Sequence, residues 1–235
     1  MKFDRIPYDS ELLSYLQSFL LEERKSRFEK ILEQRTRHLT VVLENTSDAH
    51  NINAVFRSCE GFGIQDIHVI ENGSKFKPAK KILRGSHRWL TVKKYKDEED
   101  NTLNCIHTLR AKGYRIVATT PHHHDLPLHQ LKVDQPLALF FGQEHEGVSE
   151  IVKAHADDFV IIPMQGFTES FNISAAAAIL SYELSHRIRA NKEILWQLSE
   201  EEKNALRFRW TLQNIYRVEL IIRRFYEEQK INSEK

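Results

Sequence analysis

The chain has 235 residues, 41% hydrophobic and 29% charged, with a formal net charge of +1. That balance is one of a soluble globular chain with a single substantial core, or one core plus helical extensions. It excludes a membrane helix, because no apolar run approaches the roughly 20 residues such a helix needs. The early acids of the opening stretch MKFDRIPYDSELL predict neither a secretory signal nor a transit peptide, hence a cytoplasmic protein.

Residues 10–37 read as helix: Leu12, Leu13, Leu16, Phe19 and Leu20 recur at helical spacing, then Phe28, Ile31 and Leu32. Residues 39–43 read as a buried strand, 54–62 as a helix stopping at Gly61 and Gly63, and 67–70 as a second strand. A short strand at 89–92 follows, then a helix at 103–111, a strand at 115–119 ended by Pro121, and an apolar strand at 137–141. Residues 149–156 are predicted helical, 159–162 extended, and 174–187 a long alanine-rich helix. Strands alternating with helices imply a parallel, Rossmann-like α/β sheet covered on both faces. We place it at residues 39–190, between helical extensions at 1–38 and 191–235. In the second extension Ser199 and Glu202 form a capping box. Leu206, Trp210, Tyr216, Leu220 and Phe225 then make a sparse apolar face, which must cover its own domain or a partner subunit. Arg207, Arg209, Arg217, Arg223 and Arg224 decorate that helix as a solvated face or an RNA contact.

Cys59 and Cys105 lack metal spacing and read as buried, reduced small hydrophobes. Residues 75–96 hold nine Lys/Arg and no acid, which makes a local positive field on a near-neutral chain, or a solvated lysine-rich loop. His122, His123 and His124 with Asp125 are the one tempting metal cluster, but adjacent histidines rarely all reach one ion, so no metal is expected.

Three stretches carry chemistry. In residues 51–57, NINAVFR, Asn51 and Arg57 flank an expected helix start after a strand, where open α/β sheets bind ligands. An arginine there suits phosphate or makes a surface ion pair. Residues 141–149, FGQEHEGVS, form a glycine-containing loop after a buried strand. It is either a ligand loop or an ordinary turn, and Glu144 argues against a phosphate cradle. In residues 162–174, IPMQGFTESFNIS, a strand ends in an apolar tripeptide. Ser170, Asn172 and Ser174 then cap the next helix and leave backbone N–H groups facing the crevice.

Together, in this order and spacing, these stretches resemble the three motifs of the SpoU family of RNA ribose methyltransferases. The likeness runs from about Thr40 to Glu183 and is greatest to the TrmH branch, which 2′-O-methylates a guanosine in the D-loop of tRNA. The resemblance implies a deep C-terminal trefoil knot holding S-adenosyl-L-methionine, with Thr119, Gly142, Ile162 and Phe171 lining its pocket. It implies a homodimer whose active sites use both subunits. Arg57 would be the catalytic residue near the ribose hydroxyl, and Asn51, Glu144, Ser170 and Asn172 would complete the site. It also raises the RNA-facing reading of residues 75–96. One departure stands out: where TrmH relatives carry two arginines late on the last helix of the domain, this chain has His186 and Ile188, with Arg187 and Arg189 one residue later. The alternatives are methylation of rRNA or another tRNA position, and a non-catalytic RNA-binding relative. A dinucleotide oxidoreductase is excluded, since no Gly-x-Gly-x-x-Gly follows a strand.

Overall fold

The computed structural model describes residues 6–73, 85–97, 99–121, 125–144 and 146–233. In chain order the elements are α1 (Ser10–Gln17), α2 (Glu22–Leu32), β1 (Leu39–Glu44), α3 (Ala49–Gly61), β2 (Asp66–Ile70), β3 (Thr91–Tyr95), α4 (Asn101–Arg110) and β4 (Arg115–Thr119). They continue with β5 (Leu126–Pro127), β6 (Leu137–Phe141), α5 (Glu150–His155), β7 (Asp158–Ile161), α6 (Ile173–Ala190), α7 (Glu200–Asn214) and α8 (Val218–Ser233). By contacts the chain divides into two units, one of Thr36–Gln197 and one joining both chain ends, up to Arg35 and from Leu198.

In Thr36–Gln197 the seven strands are parallel, in the order β3-β2-β1-β6-β4-β7-β5. Strands β1, β2 and β6 are buried along their whole length, as expected of a sheet covered on both faces. Alternation divides their side chains between two cores. Val41, Leu43, Val117, Leu139 and Phe141 meet Ile52, Val55 and Phe56 of α3 and Ala177, Leu180 and Leu184 of α6. Val42, Ile116, Ala118 and Phe140 face the other way, onto Cys105, Ile106 and Leu109 of α4 and Val152 of α5. Both cysteines are free and buried, and burial pushes the Cys105 thiol up to about 12.

The chain ends form a helical unit of their own. The expected helix at 10–37 is two helices, because Ser18 closes α1 and the backbone is extended at Leu21 before α2. Leu12, Leu13, Leu16, Phe28 and Leu32 are buried, whereas Phe19 is 49% exposed and leaves the apolar face. The tail also breaks, at Arg217, whose φ is 50°. Tyr216 and Leu220 are therefore exposed, and Phe208, Leu212 and Val218 are buried in their place beside Leu206, Trp210 and Phe225. The tail helices cover α1 and α2. Glu29 holds Arg207 bidentately at 2.7 and 2.6 Å, and the Arg35 guanidinium lies 5.6 Å from the centre of the Trp210 ring. The Ser199–Glu202 capping box is present.

A polar patch on β2 gives stability a pH dependence. His68 is 4% exposed, stacks on Tyr95 and shares a 2.9 Å hydrogen bond with its hydroxyl. Burial, helped by the Lys112 and Lys93 charges, pushes its pKa down to about 3. Below about pH 6.5 the unfolded chain takes up a proton there that the folded chain refuses until about pH 3, so stability falls as pH drops through that window. Per unit of pH the loss approaches about 1.4 kcal/mol. Urea unfolding between pH 7 and 4.5 should show this fall, and His68→Gln should flatten it relative to the parent. The comparison between the two proteins cancels neighbouring Asp66, whose carboxyl burial raises. Identical pH slopes in the two proteins would remove His68 from the account.

Candidate functional site

The carboxyl ends of β4, β6 and β7 open into a cavity of about 560 Å³, at the edge of the sheet where α/β domains bind ligands. Ile162, Met164, Phe171, Ala176 and Leu180 give it an apolar wall, and Thr119, Gly142, Glu144, Ser170 and Asn172 a polar one. All four residues expected at a cofactor pocket, Thr119, Gly142, Ile162 and Phe171, are on this wall, joined by three of the five expected in catalysis. Thr119 presents little free polarity, because its hydroxyl donates to the Phe140 carbonyl at 2.9 Å.

The loop after β6 is built around two glycines. The Gln143 N–H donates to the Gly147 carbonyl at 3.0 Å and the Gly147 N–H to the Gln143 carbonyl at 2.9 Å, closing the loop on itself. A Cβ on Gly142 would lie 1.8 Å from the Gly147 oxygen, and Gly147 has φ +69°, so both positions require glycine. The closed loop projects Glu144 outward.

There the three sequence motifs meet. Asn51 Nδ2 donates to Glu144 Oε1 at 2.6 Å, and Asn172 Nδ2 lies 3.1 Å from both Asn51 Oδ1 and Glu144 Oε1. Each corner is held by its own element. Asp48 caps α3 through the Asn51 N–H at 2.7 Å. Asn172, rather than either serine, caps α6, its Oδ1 accepting from Ser174 N at 2.9 Å and Ser174 Oγ at 2.6 Å. Two amide donors on one carboxylate oxygen fix the carboxylate in place.

Arg57 is elsewhere. The helix begins at Ala49 because Asp48 is its cap, so Asn51 and Arg57 do not flank a helix start but both ride on α3. Six residues of helix separate them by about 9 Å along its axis. Arg57 is exposed, off the cavity wall, and without an ion pair among the described residues. Ser170 lines the cavity in an exposed loop. The sequence reading missed Val148, Ala176 and Leu180 on the wall, although Ala176 and Leu180 lie one and two helical turns beyond Asn172. It also missed Lys153 and Glu169 there, for which no periodicity gives a signal.

Arg187 and Arg189 turn inward. Arg187 donates to the Leu128 and Leu131 carbonyls at 3.0 and 2.6 Å, and Arg189 to the Phe62 carbonyl at 2.9 Å while stacking over Trp196. Of the two positions where the family resemblance leads one to expect arginine, Ile188 is fully buried, and His186 is exposed and stacked on Tyr182. Residues 75–84 of the basic stretch 75–96, and all of His122, His123 and His124, lie outside the described residues. Among the described residues no His, Cys, Asp and Glu cluster could hold a metal ion.

A parallel sheet with an apolar-walled cavity and convergent polar groups at its carboxyl edge defines a ligand-binding α/β domain. The chain belongs to the SpoU rRNA Methylase family, whose sequence model matches residues 38–182. It is 38% identical over 209 residues to a tRNA (guanosine(18)-2′-O)-methyltransferase of Borreliella burgdorferi, covering 89% of this chain and 94% of that one. The solved TrmH/SpoU tRNA modifying enzyme of A. aeolicus superposes with a TM-score of 0.73 at 29% identity, over 83% of this chain and 98% of its own. The fold is shared with the SpoU methyltransferase AviRb of Streptomyces viridochromogenes, solved in complex with the cofactor AdoMet, at a TM-score of 0.57 and 23% identity, over 69% of this chain and 62% of its own.

Gly142→Ala should be costly, by about 1–3 kcal/mol if the loop is forced open as in an overpacked core. Gly166→Ala, in the loop between β7 and α6 and with nothing within 4 Å of its added carbon, should be near neutral. Chemical denaturation of the two variants side by side measures the difference, and equal stabilities would mean the loop yields freely.

Proposed function

We propose that this protein methylates a ribose 2′-oxygen in RNA with S-adenosylmethionine, and that its substrate is a guanosine in the D-loop of tRNA. The observation that carries the reading is the meeting of Asn51, Glu144 and Asn172 beside the cavity, in a chain whose relatives are named for this reaction. The cavity suits the cofactor: its volume is typical of small-molecule sites, about 300–1,000 Å³. Ile162, Phe171 and Leu180 offer apolar surface to an adenine, and the Gly142 loop offers backbone close by. When bound, S-adenosylmethionine supplies a methyl group already activated by its sulfonium.

The protein's share is alignment and proton removal. Alignment is worth roughly up to 10 kcal/mol in favourable cases. With the cofactor bound, its methyl group would pass to the ribose oxygen as the C–S bond breaks, and the hydroxyl proton would have to leave. Arg57 is unsuited to accept that proton, since a guanidinium is an always-charged donor with no free acceptor site. In our reading its guanidinium stabilises the developing alkoxide and a substrate phosphate takes the proton. Glu144, held by the two asparagines, and Ser170 position the ribose.

The placement of Arg57 off its own cavity wall supports a homodimer in which it serves the partner's site. The trefoil knot that the family resemblance implies belongs to the same reading. No helix among the described residues is long and apolar enough to cross a membrane; that the protein works in the cytoplasm is part of the same proposal. The domain limits we use are residues 1–38, 39–190 and 191–235.

Labelled S-adenosylmethionine and unmodified total tRNA, followed by nucleoside mapping, should give 2′-O-methylguanosine in the D-loop. Label in rRNA alone would keep the reaction and overturn the substrate. Arg57→Ala should abolish turnover while calorimetry finds cofactor affinity unchanged within about twofold, because the residue acts on the ribose and contributes in the transition state. Substantial residual turnover would remove Arg57 from the mechanism.

A further inference from the structure

Glu44, the last residue of β1, is 2% exposed and belongs to none of the three motifs. Its carboxylate collects three donors. Oε1 accepts from Thr102 Oγ1 at 2.8 Å and from Ser149 Oγ at 2.7 Å, and Oε2 accepts from the Ser149 N–H at 2.8 Å. A carboxylate taken out of water is costly unless it is well satisfied, and this one is.

We propose that Glu44 is a positioning residue, which by holding Ser149 sets the stance of the loop from Gly142 to Val148 and so of Glu144 and the cavity wall. The loop has a fixed beginning, because it issues from β6, which is paired on both sides in the middle of the sheet. Its far end is Ser149, the N-cap of α5, whose own N–H has no partner inside that helix. Glu44 provides that partner from β1, the strand beside β6 and likewise paired on both sides. One hydroxyl serves two purposes: Ser149 Oγ donates to Glu44 and accepts from Val152 N at 3.3 Å, so the helix cap and the strand anchor share an atom. The other side of the carboxylate is braced by Thr102 of α4, which is fully buried and accepts in turn from Asn72 Nδ2 at 2.8 Å. Between its two ends the loop is closed by the Gln143–Gly147 pair, and a closed loop swings as one piece. A shift at Ser149 therefore moves Glu144 away from Asn51 and Asn172.

The consequence for the cofactor rests on the methyltransferase reading, while the ordering of the loop does not. Glu44→Gln keeps the shape but sets an amide N–H₂ against a donor. Losing a bond to a charged acceptor should raise the dissociation constant for S-adenosylhomocysteine about tenfold or more, measured by calorimetry on the folded fraction. Amide hydrogen exchange at Gly147, Val148 and Ser149 should speed up by a similar factor, about tenfold, with β1 and β6 unchanged. Ser149→Ala removes only the side-chain bond and should give a smaller change in both readouts, one that does not add to the first in the double variant. A folded Glu44→Gln protein with unchanged loop exchange and affinity would overturn the proposal, as would a mere fall in stability with affinity intact. If Glu44→Gln does not fold, Ser149→Ala decides, and parental exchange and affinity in it would overturn the proposal. If the parent protein binds no S-adenosylhomocysteine, the functional reading fails, and hydrogen exchange alone decides the role of Glu44.

Discussion

The position of β6 between β1 and β4 is the constraint on which the site depends. It carries the chain from the edge of the sheet back to its centre, next to the strand that precedes α3. Only with that neighbour does the loop after β6 open beside the N-terminus of α3, where Asn51 stands. Only with β4 on the other side do Thr119 and the end of β7 close the cavity. Hydrophobic burial enforces the order: β1 and β6 are buried along their full length, and neither could take an edge without exposing it to water.

Given the sheet, the polar chemistry is local and economical. Each residue at the meeting point of the motifs is fixed by a helix cap or a closed loop, so backbone groups that would otherwise lack partners orient side chains. Asp48 does this for Asn51, Asn172 does it for itself, and the paired backbone of Gln143 and Gly147 does it for Glu144. Preorganisation of this kind is what a transfer reaction with an activated donor asks of a protein.

Much of this could be read from the sequence, for definable reasons. Strand β4 falls at its expected limits because an apolar β-branched run is bounded by Gly113 and Pro121, and β6 does so because five apolar residues end in a glycine. Helix α3 began five residues early, since Asp48 and its bond to Asn51 outweighed the absence of apolar periodicity before Ala54. The helices of the chain ends were read as continuous because apolar spacing carries across Phe19 and Tyr216, where the backbone in fact turns. The wall of the cavity was partly visible through the motifs. The role of Glu44 was not, because a lone acid at the end of a strand has no signature, and its partners lie 58 and 105 residues away.

The helical unit made from both ends of the chain has a consequence for how the protein is synthesised. Glu29 and Arg207, which face each other in it, are 178 residues apart. During translation α1 and α2 leave the ribosome before the sheet, yet the surface that buries Leu12, Leu16 and Phe28 is made after it. Until then these apolar faces wait in water while the sheet between them has time to form. The two ends are thus joined only after the middle has been translated. A ribosome stalled short of α7 would leave a nascent chain with its N-terminal helices uncovered, a substrate for chaperones rather than a finished fold.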